Sequence, residues 1–106
     1  MADLDPLFYP RNIAVIGASN RPLTIGHRIV SNLLDNGYTG KVFPVNPKAT
    51  PILDQTAYPS ITEVPEDVDL AHVIVKNTLV PTILEDCAAK GVKVCVVNTS
   101  GFKEMG

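Results

Sequence analysis

The chain has 106 residues, of which 45% are hydrophobic and 19% are charged, and its formal net charge is −2 at pH 7. This length and balance indicate one globular domain with a small core, and the charge argues against a general nucleic-acid or membrane-surface role. No apolar run approaches about 20 residues, so the sequence predicts no bilayer span.

The N-terminal arm, residues 1–11, contains two prolines and the apolar triplet Leu7-Phe8-Tyr9, and we expect it to pack across the sheet without forming an element. The arm carries acidic residues and lacks the apolar region of a signal peptide, so secretion is not indicated. Cys87 and Cys95 lack metal-ligand spacing, and we expect two small buried side chains in a reducing compartment. The cytoplasm is therefore the expected location.

In the first half of the chain, strand and helix patterns alternate. Residues 12–16 (NIAVI) are apolar on both faces, as in a central parallel strand. Apolar residues at i, i+4 spacing then predict an amphipathic helix over residues 25–36, and Gly37 is expected to stop it in a left-handed conformation. Residues 41–45 (KVFPV) are the second predicted strand, and residues 56–58 are a brief third strand.

The second half continues the alternation. Ser60 and Glu63 have the spacing of a capping box and are expected to open one helical turn. Residues 69–75 are the fourth predicted strand and residues 92–97 the fifth, and residues 98–101 are read as a turn.

A second helix is predicted between the fourth and fifth strands. Asn77 or Thr78 is expected to cap it, and Pro81 is tolerated in its first turns. Lys90 suits the negative end of the helix dipole, and Gly91 suits the position just beyond the end.

Strands that alternate with helices imply parallel pairing with right-handed crossovers. The sequence therefore predicts an α/β fold, a Rossmann-like doubly wound parallel sheet with strand order 3-2-1-4-5. Ligands of such sheets bind at the carboxyl ends of the strands where the winding reverses, here the gap between the first and fourth strands. The loops at residues 17–25, 46–48, 75–78 and 98–101 are expected to converge there.

The loop from Gly17 to Gly26 joins the first strand to the first helix. Free amides at a helix start and the helix dipole favour an anion; Ser19 can donate its hydroxyl to a phosphate, and Arg21 can add charge. The loop matches neither GxGxxG nor the P-loop. The alternative is a plain strand-to-helix turn whose glycines serve geometry alone.

The end of the second strand distinguishes between nucleotides. Enzymes that use NAD usually carry an acid there to hold the ribose hydroxyls, whereas this chain has Asn46-Pro47-Lys48, and the nearest acid downstream is Asp54. A lysine suits a phosphate on the adenosine ribose, which favours coenzyme A or NADP over NAD. The alternative is a solvated lysine in a turn.

Neither histidine completes a catalytic set, because neither has an evident orienting acid. His27 is expected to be solvated near a helix start, although a general base or a phosphate contact is conceivable. His72 is expected to be a packed neutral side chain within a strand. Thr99 and Ser100 can contact a ligand or cap a following helix, and the sequence does not decide between these two roles.

Several segments together resemble a known family. LDPLFYPRNIAVIGASNRP, then IG, GYTGKVFPVNPK, AYPSITEVPEDVDLA and SGFKE are similar to the N-terminal coenzyme A-binding domain of ADP-forming (NDP-forming) acyl-CoA ligases. This is the superfamily of acetate–CoA ligase and the succinyl-CoA synthetase alpha subunit. The resemblance runs in order over nearly all of residues 4–104, and it implies a Rossmann-like sheet that binds coenzyme A across the switch point.

The resemblance also implies roles for residues of this chain. Gly17 and Ser19, with neighbouring amides, resemble the family's phosphate loop, and Pro47 and Lys48 its contact with the adenosine 3′-phosphate. Val75 and the residues after it resemble the nucleotide and pantetheine path. No catalytic residue and no metal ligand are expected. The residues expected to contact coenzyme A are Gly17, Ala18, Ser19, Asn20, Arg21, Ile25, Gly26, Asn46, Pro47, Lys48, Val75, Lys76, Asn77, Thr99, Ser100 and Gly101.

Two departures from the family pattern qualify this interpretation. Lys76-Asn77-Thr78 stands where the family has a proline-containing turn, and Lys76 can add a phosphate partner there. The chain stops at Gly106, whereas the family's domain continues through another helix and a sixth strand, followed by a phospho-histidine domain and an ATP-grasp domain. Neither His27 nor His72 occupies the position of the phosphorylated histidine.

We therefore expect residues 1–106 to be a C-terminally truncated coenzyme A-binding segment of an ADP-forming acyl-CoA ligase. This segment should bind coenzyme A and not catalyse alone, with the remaining ligase domains as its partners. Its competitors are a stand-alone coenzyme A-binding protein with a regulatory or carrier role, an NADP-dependent dehydrogenase segment, and a structural module. An open apolar edge is also expected to promote self-association through residues 92–106.

Overall fold

The fold is that of a computed structural model, which describes residues 10–21 and 24–99. Its centre is a parallel sheet of four strands: β1 (Asn12–Ile16), β2 (Lys41–Val45), β3 (Leu70–Val75) and β4 (Val94–Thr99). The strands lie in the order β2-β1-β3-β4, and all three neighbouring pairs are parallel. The predicted α/β class, the parallel pairing and the central position of the first strand are confirmed.

Two helices cover opposite faces of the sheet, as expected for a doubly wound fold. Helix α1 (Ile25–Asp35) packs with Val15 and neighbouring core residues on one face. Helix α2 (Val80–Lys90) packs with Ile16 and neighbouring core residues on the other. Neither helix, within the described ranges, has the length and hydropathy needed to cross a membrane.

The predicted third strand is reduced to a single parallel bridge between Val45 and Tyr58. The Tyr58 N–H donates to Pro44 O, and the Asn46 N–H donates to Tyr58 O, at 3.0 Å in both cases. The next step of such a ladder requires an N–H from residue 44, and proline has none. The bridge lies beside β2, so the predicted place in the strand order holds, but the strand does not form.

The fifth predicted strand begins two residues later than expected, at Val94. Gly91 ends α2 with φ 87°, as predicted, and the N–H groups of Gly91 and Val92 both donate to Cys87 O at 3.0 Å. Val92 therefore belongs to the end of the helix and cannot also begin the strand. Gly37, beyond α1, has φ 77°, which confirms its predicted left-handed conformation.

Two predicted helix caps are wrong. Asn77 and Thr78 lie in a 3₁₀ turn (Asn77–Leu79) that leads into α2, whose N-cap position is Leu79 without a side-chain bond. The helical turn predicted after Ser60 does form, as a second 3₁₀ turn (Ile61–Glu63), but the Ser60 side chain makes no capping bond. A capping box needs the Glu63 N–H to donate to the Ser60 hydroxyl. Here that N–H donates to the Ser60 backbone O instead, at 3.1 Å.

A charge cluster lies at the amino ends of the strands. The buried Asp69 carboxylate accepts from the Arg11 backbone N–H at 3.0 Å and from Arg11 Nε at 3.3 Å, and Lys93 Nζ lies 3.8 Å away. The hydrogen bond from the Arg11 backbone is the main reason that the pKa of Asp69 is lowered, although burial opposes it. This cluster is at the opposite edge of the sheet from the predicted ligand site, so its role is structural.

Candidate functional site

A cleft of about 410 Å³ lies at the carboxyl ends of β1 and β2. One wall is the β1 loop (residues 17–21), and the other is the β2 loop (residues 46–52). The structure thus brings together two of the four loops that were expected to converge, and the cleft lies on the β2 side of β1 and not between β1 and β3. Its lining residues are Ala18, Ser19, Asn20, Arg21, Asn46, Pro47, Lys48, Thr50 and Ile52.

The first two residues of the β1 loop are tied to β2. The N–H groups of Gly17 and Ala18 both donate to Val45 O, at 2.9 and 3.3 Å. Gly17 has φ 98°, and a Cβ there would lie 2.0 Å from Ile74 O, so only glycine fits. The structure gives these two amides a partner inside the fold, where the sequence predicted an anion.

The next part of the loop is held in a defined conformation. Ser19 Oγ accepts the Arg21 N–H at 3.0 Å, and Ser19 O lies 2.9 Å from His27 Nδ1 on α1. The Ser19 hydroxyl keeps its own hydrogen free to donate. Among the described residues, no acceptor takes up the N–H groups of Ser19 and Asn20. Among the described residues, these two amides, and not those of Gly17 and Ala18, are the backbone donors of the β1 loop that have no acceptor.

The N-terminus of α1 adds further donors beside this loop. Thr24 caps the helix, since its Oγ1 accepts the His27 N–H at 3.3 Å, and the first turn contains no acidic residue. Gly26 is buried against the β1 loop, and a Cβ there would lie 2.4 Å from Gly17 O. Ile25 is 50% exposed at the helix start. The positive end of the helix dipole therefore adjoins the loop without a competing carboxylate.

Asn46 builds the β2 loop. Its Oδ1 accepts the N–H groups of Lys48 and Thr50, at 3.2 and 3.1 Å, and its Nδ2 donates to Thr50 O at 3.0 Å. Both polar atoms of the side chain are engaged within the loop, so Asn46 shapes the wall on which Lys48 is displayed. Lys48 itself is exposed, and Asp54, the first acid after β2, does not line the cleft.

One side chain joins the two walls. Asn20 Nδ2 donates to Pro51 O at 2.9 Å, which fastens the β1 loop to the β2 loop. Asn20 was expected to contact the ligand, and the structure gives its amide group a role in holding the cleft together. Its backbone N–H has no acceptor among the described residues.

The other predicted site residues lie apart from the cleft lining. Val75 pairs with Thr99 at the carboxyl ends of β3 and β4, and Lys76 and Asn77 are exposed at the 3₁₀ turn that follows β3. Ser100 and Gly101 lie outside the described residues. The two loops beyond β3 and β4 therefore share the carboxyl edge of the sheet with the cleft without forming its walls.

His72 has no part in the cleft. It lies within β3, and its Nδ1 is buried without a partner among the described residues. Burial lowers the pKa of this imidazole, so the neutral form is favoured. This agrees with the expectation of a packed neutral side chain.

Sequence reasoning missed three contributors to the site. Thr24 precedes an apolar i, i+4 pattern, which is a recognised N-cap signal, and it could have been identified. Thr50 and Ile52 line the cleft through the path of the β2 loop, and no local pattern in the sequence marks them.

Comparisons with known proteins identify the family of this chain. The family model described as "CoA binding domain" matches residues 11–105. The chain is 48% identical over 104 residues to acetate–CoA ligase [ADP-forming] II of Archaeoglobus fulgidus. The matched region covers 98% of this chain and 16% of that protein. The chain thus spans less than a fifth of that relative's length.

Two solved structures of different length are similar to this chain. The apo form of a dinucleotide forming acetyl-coenzyme A synthetase 1 from Ca. Korarchaeum cryptofilum matches with TM-score 0.90 and 47% identity, over 98% of this chain and 23% of that chain. A conserved hypothetical protein from Pyrococcus furiosus matches with TM-score 0.76 and 30% identity, over 90% of this chain and 80% of that chain.

Proposed function

This chain belongs to the family of CoA binding domains and corresponds to the N-terminal part of ADP-forming acyl-CoA ligases, and we propose that its cleft holds the nucleotide end of coenzyme A. The ligand of the domain is coenzyme A. The observation that carries the placement is that a single cleft is walled by the β1 loop and by Lys48. The diphosphate lies against the β1 loop, and the adenosine 3′-phosphate lies beside Lys48.

The β1 loop suits a diphosphate for three reasons. The N–H groups of Ser19 and Asn20 and the Ser19 hydroxyl are donors without an acceptor among the described residues. The start of α1 adds the positive end of its dipole. Arg21 lines the same cleft and supplies a full positive charge. Anions bind to such arrangements because backbone donors need no reorganisation on binding.

The β2 loop selects for the ribose phosphate. An NAD site needs a carboxylate at the end of the second strand, whereas the described residues that line this cleft include Lys48 and no acid. Coenzyme A and NADP both carry a phosphate on the adenosine ribose, at the 3′ and 2′ positions. Membership of the CoA binding family favours the 3′-phosphate.

In the parent reaction, an acid, coenzyme A and ATP give acyl-CoA, ADP and phosphate. We propose that this chain acts in such a ligase by fixing the nucleotide end and presenting the thiol to an acyl phosphate held by other domains. Such fixation lowers the barrier by removing translational freedom. Its partners would be the phospho-histidine and ATP-grasp domains, and the chain alone would bind without catalysing.

A stand-alone coenzyme A-binding protein is the second candidate. It is favoured by the likeness to the Pyrococcus furiosus protein, because the matched region makes up 80% of that chain. The two candidates share the same ligand and the same cleft. They differ in whether the chain, added to the remaining ligase domains, restores acyl-CoA formation.

Calorimetry with coenzyme A, dephospho-coenzyme A and NADP tests the proposal. Coenzyme A should bind best, and Lys48→Ala should reduce its advantage over dephospho-coenzyme A by about fivefold to tenfold, as expected for one charged contact. Lys41→Ala is the matched control, because Lys41 is exposed at the opposite end of β2, where it pairs with Glu66. The role of Lys48 is refuted if both variants lose the preference for coenzyme A to the same extent. It is also refuted if the unaltered chain binds coenzyme A and dephospho-coenzyme A equally well.

We also propose that two copies pair along β4. Within the described part of the chain, β4 is an edge strand that pairs with β3 alone, and Val97 is 40% exposed. Open strand edges promote pairing between chains. Light scattering should show a dimer at high concentration that Val97→Lys dissociates and Val97→Thr retains. A monomer at all concentrations would exclude it.

The remaining expectations concern location and further partners. We propose a reducing compartment, the cytoplasm, because Cys87 and Cys95 are both free thiols. We propose no nucleic-acid or membrane partner, because the net charge of −2 offers neither a polyphosphate nor an anionic lipid surface a general attraction.

A further inference from the structure

His27 makes two contacts, one within the cap of α1 and one from α1 to the β1 loop. Its backbone N–H donates to Thr24 Oγ1 at 3.3 Å, which completes the helix cap. Its ring atom Nδ1 lies 2.9 Å from Ser19 O. A carbonyl oxygen can only accept, so Nδ1 carries the hydrogen and the imidazole is the donor. His27 was expected to be solvated, and the structure instead places its ring in a specific contact.

This contact sets the direction of an amide in the cleft wall. The peptide bond between Ser19 and Asn20 is planar and trans, so the Ser19 carbonyl and the Asn20 N–H point in opposite directions. Holding the carbonyl towards the His27 ring therefore turns the Asn20 N–H to the side opposite that ring. The neighbouring bond from Arg21 N–H to Ser19 Oγ, at 3.0 Å, fixes the same residue from its side chain.

We propose that His27 is a positioning residue that presents the Ser19–Asn20 peptide to the diphosphate of the ligand. The inference rests on the proposed function, since it concerns the same cleft. His27 does not touch the ligand in this scheme. It acts through Ser19, and its contribution is the donor at Nδ1 and not the charge of the ring.

Two substitutions of His27 that match each other in shape isolate that donor. Asparagine places an N–H donor close to the position of histidine Nδ1, whereas leucine has the same branched shape as asparagine and no donor. His27→Leu should raise the Kd for coenzyme A by about twofold to tenfold, the loss expected for one hydrogen bond. His27→Asn should keep the Kd within about twofold of the unaltered chain.

The choice of ligands separates positioning from loss of fold. Calorimetry is run on the full chain with coenzyme A, with ADP, which keeps the diphosphate, and with adenosine 3′-monophosphate, which lacks it. Positioning predicts that His27→Leu weakens coenzyme A and ADP and leaves adenosine 3′-monophosphate unchanged. Partial unfolding lowers the affinity for all three ligands by the same factor.

Each outcome decides the matter. The inference is supported if His27→Leu weakens the binding of coenzyme A and ADP alone and His27→Asn binds both as the unaltered chain does. It is overturned if His27→Leu binds coenzyme A as tightly as the unaltered chain, if all three ligands weaken equally, or if His27→Asn fails as His27→Leu does. Failure of the unaltered chain to bind coenzyme A overturns the proposed function itself, so the two failures are distinguishable.

Discussion

The close approach of α1 to the β1 loop gives a prediction for Gly26→Ala that runs against helix propensity. A Cβ at Gly26 would lie 2.4 Å from Gly17 O and 3.1 Å from Ala18 Cα, whereas ordinary contact begins at 3.4 Å. Both neighbours are backbone atoms, so no change of rotamer relieves the clash. The helix and the loop must separate by about 1 Å, the difference between 2.4 and 3.4 Å.

The magnitude follows from two opposing effects. Overpacking of a rigid site costs about 1–3 kcal/mol, whereas alanine in place of glycine within a helix gains about 0.5–1 kcal/mol. The net loss of stability should reach about 2 kcal/mol, or a fall in Tm of up to about 10 °C for a domain of this size. Coenzyme A binding should weaken by about tenfold, because the displaced loop carries the free amides.

Thermal unfolding by circular dichroism and calorimetry with coenzyme A measure the two effects. Gly37→Ala is the matched control, since Gly37 lies just beyond the other end of α1 and an added Cβ there meets no atom within 4 Å. Gly37→Ala should lower Tm through its φ of 77° and leave the Kd of the folded fraction unchanged. A rise in Tm for Gly26→Ala, with unaltered affinity, would refute the reasoning.

Three further predictions concern titratable groups. Hydrogen bonds from the backbone and side chain of Arg11 hold the pKa of Asp69 below 3.8, so its stabilisation is present above that pH and is lost as the pH falls through the lower folded value. Asp69→Asn should therefore destabilise the chain by about 1–3 kcal/mol at pH 7 in urea titrations and reduce the loss of stability below pH 4, whereas Asp67→Asn, at an exposed site, should do neither. Burial lowers the pKa of His72 from 6.5, so between the two pKa values the imidazole is protonated in the unfolded chain and neutral in the folded chain. The free energy of unfolding should therefore fall as the pH drops from about 6.5 towards the lower folded pKa. His72→Leu should abolish this dependence, and a slope that persists in the variant would assign it to another group. Burial raises the pKa of Cys87 to about 12, so at pH 8 a thiol reagent should modify at most one cysteine of the native chain and two after denaturation; two fast reactions in the native chain would contradict this.

The sequence was sufficient where one strong pattern decides the outcome. The strands at residues 12–16 and 41–45 are short apolar runs between turn residues, and both have the predicted bounds. It was insufficient where two patterns compete for one residue. Val92 is β-branched and apolar, which favours a strand, but its N–H donates to Cys87 O in the turn that ends α2. A hydrophobic pattern does not show which of these two local arrangements prevails.

The candidate site shows the same division. The convergence of the β1 and β2 loops follows from topology alone, because the carboxyl ends of parallel strands share one edge. The roles of the amide side chains do not follow from topology. Asparagine can bond a ligand or the backbone equally well, and in Asn20 and Asn46 the backbone is the partner.

This division of roles bears on how the cleft recognises its ligand. The side chains of Asn20, Asn46 and His27 hold the two walls in place. Among the described residues, the donors left for a ligand are the Ser19 hydroxyl, two backbone amides and the cationic side chains of Arg21 and Lys48. Backbone amides bind any diphosphate, whether it belongs to ADP, NADP or coenzyme A. In the proposed placement, recognition of the ribose phosphate comes from the β2 loop, where Lys48 lies on a turn that Asn46 closes. Asn46→Ala should weaken selectivity for coenzyme A over dephospho-coenzyme A while diphosphate affinity persists, and competition calorimetry that shows unchanged selectivity would place the discriminating contact elsewhere.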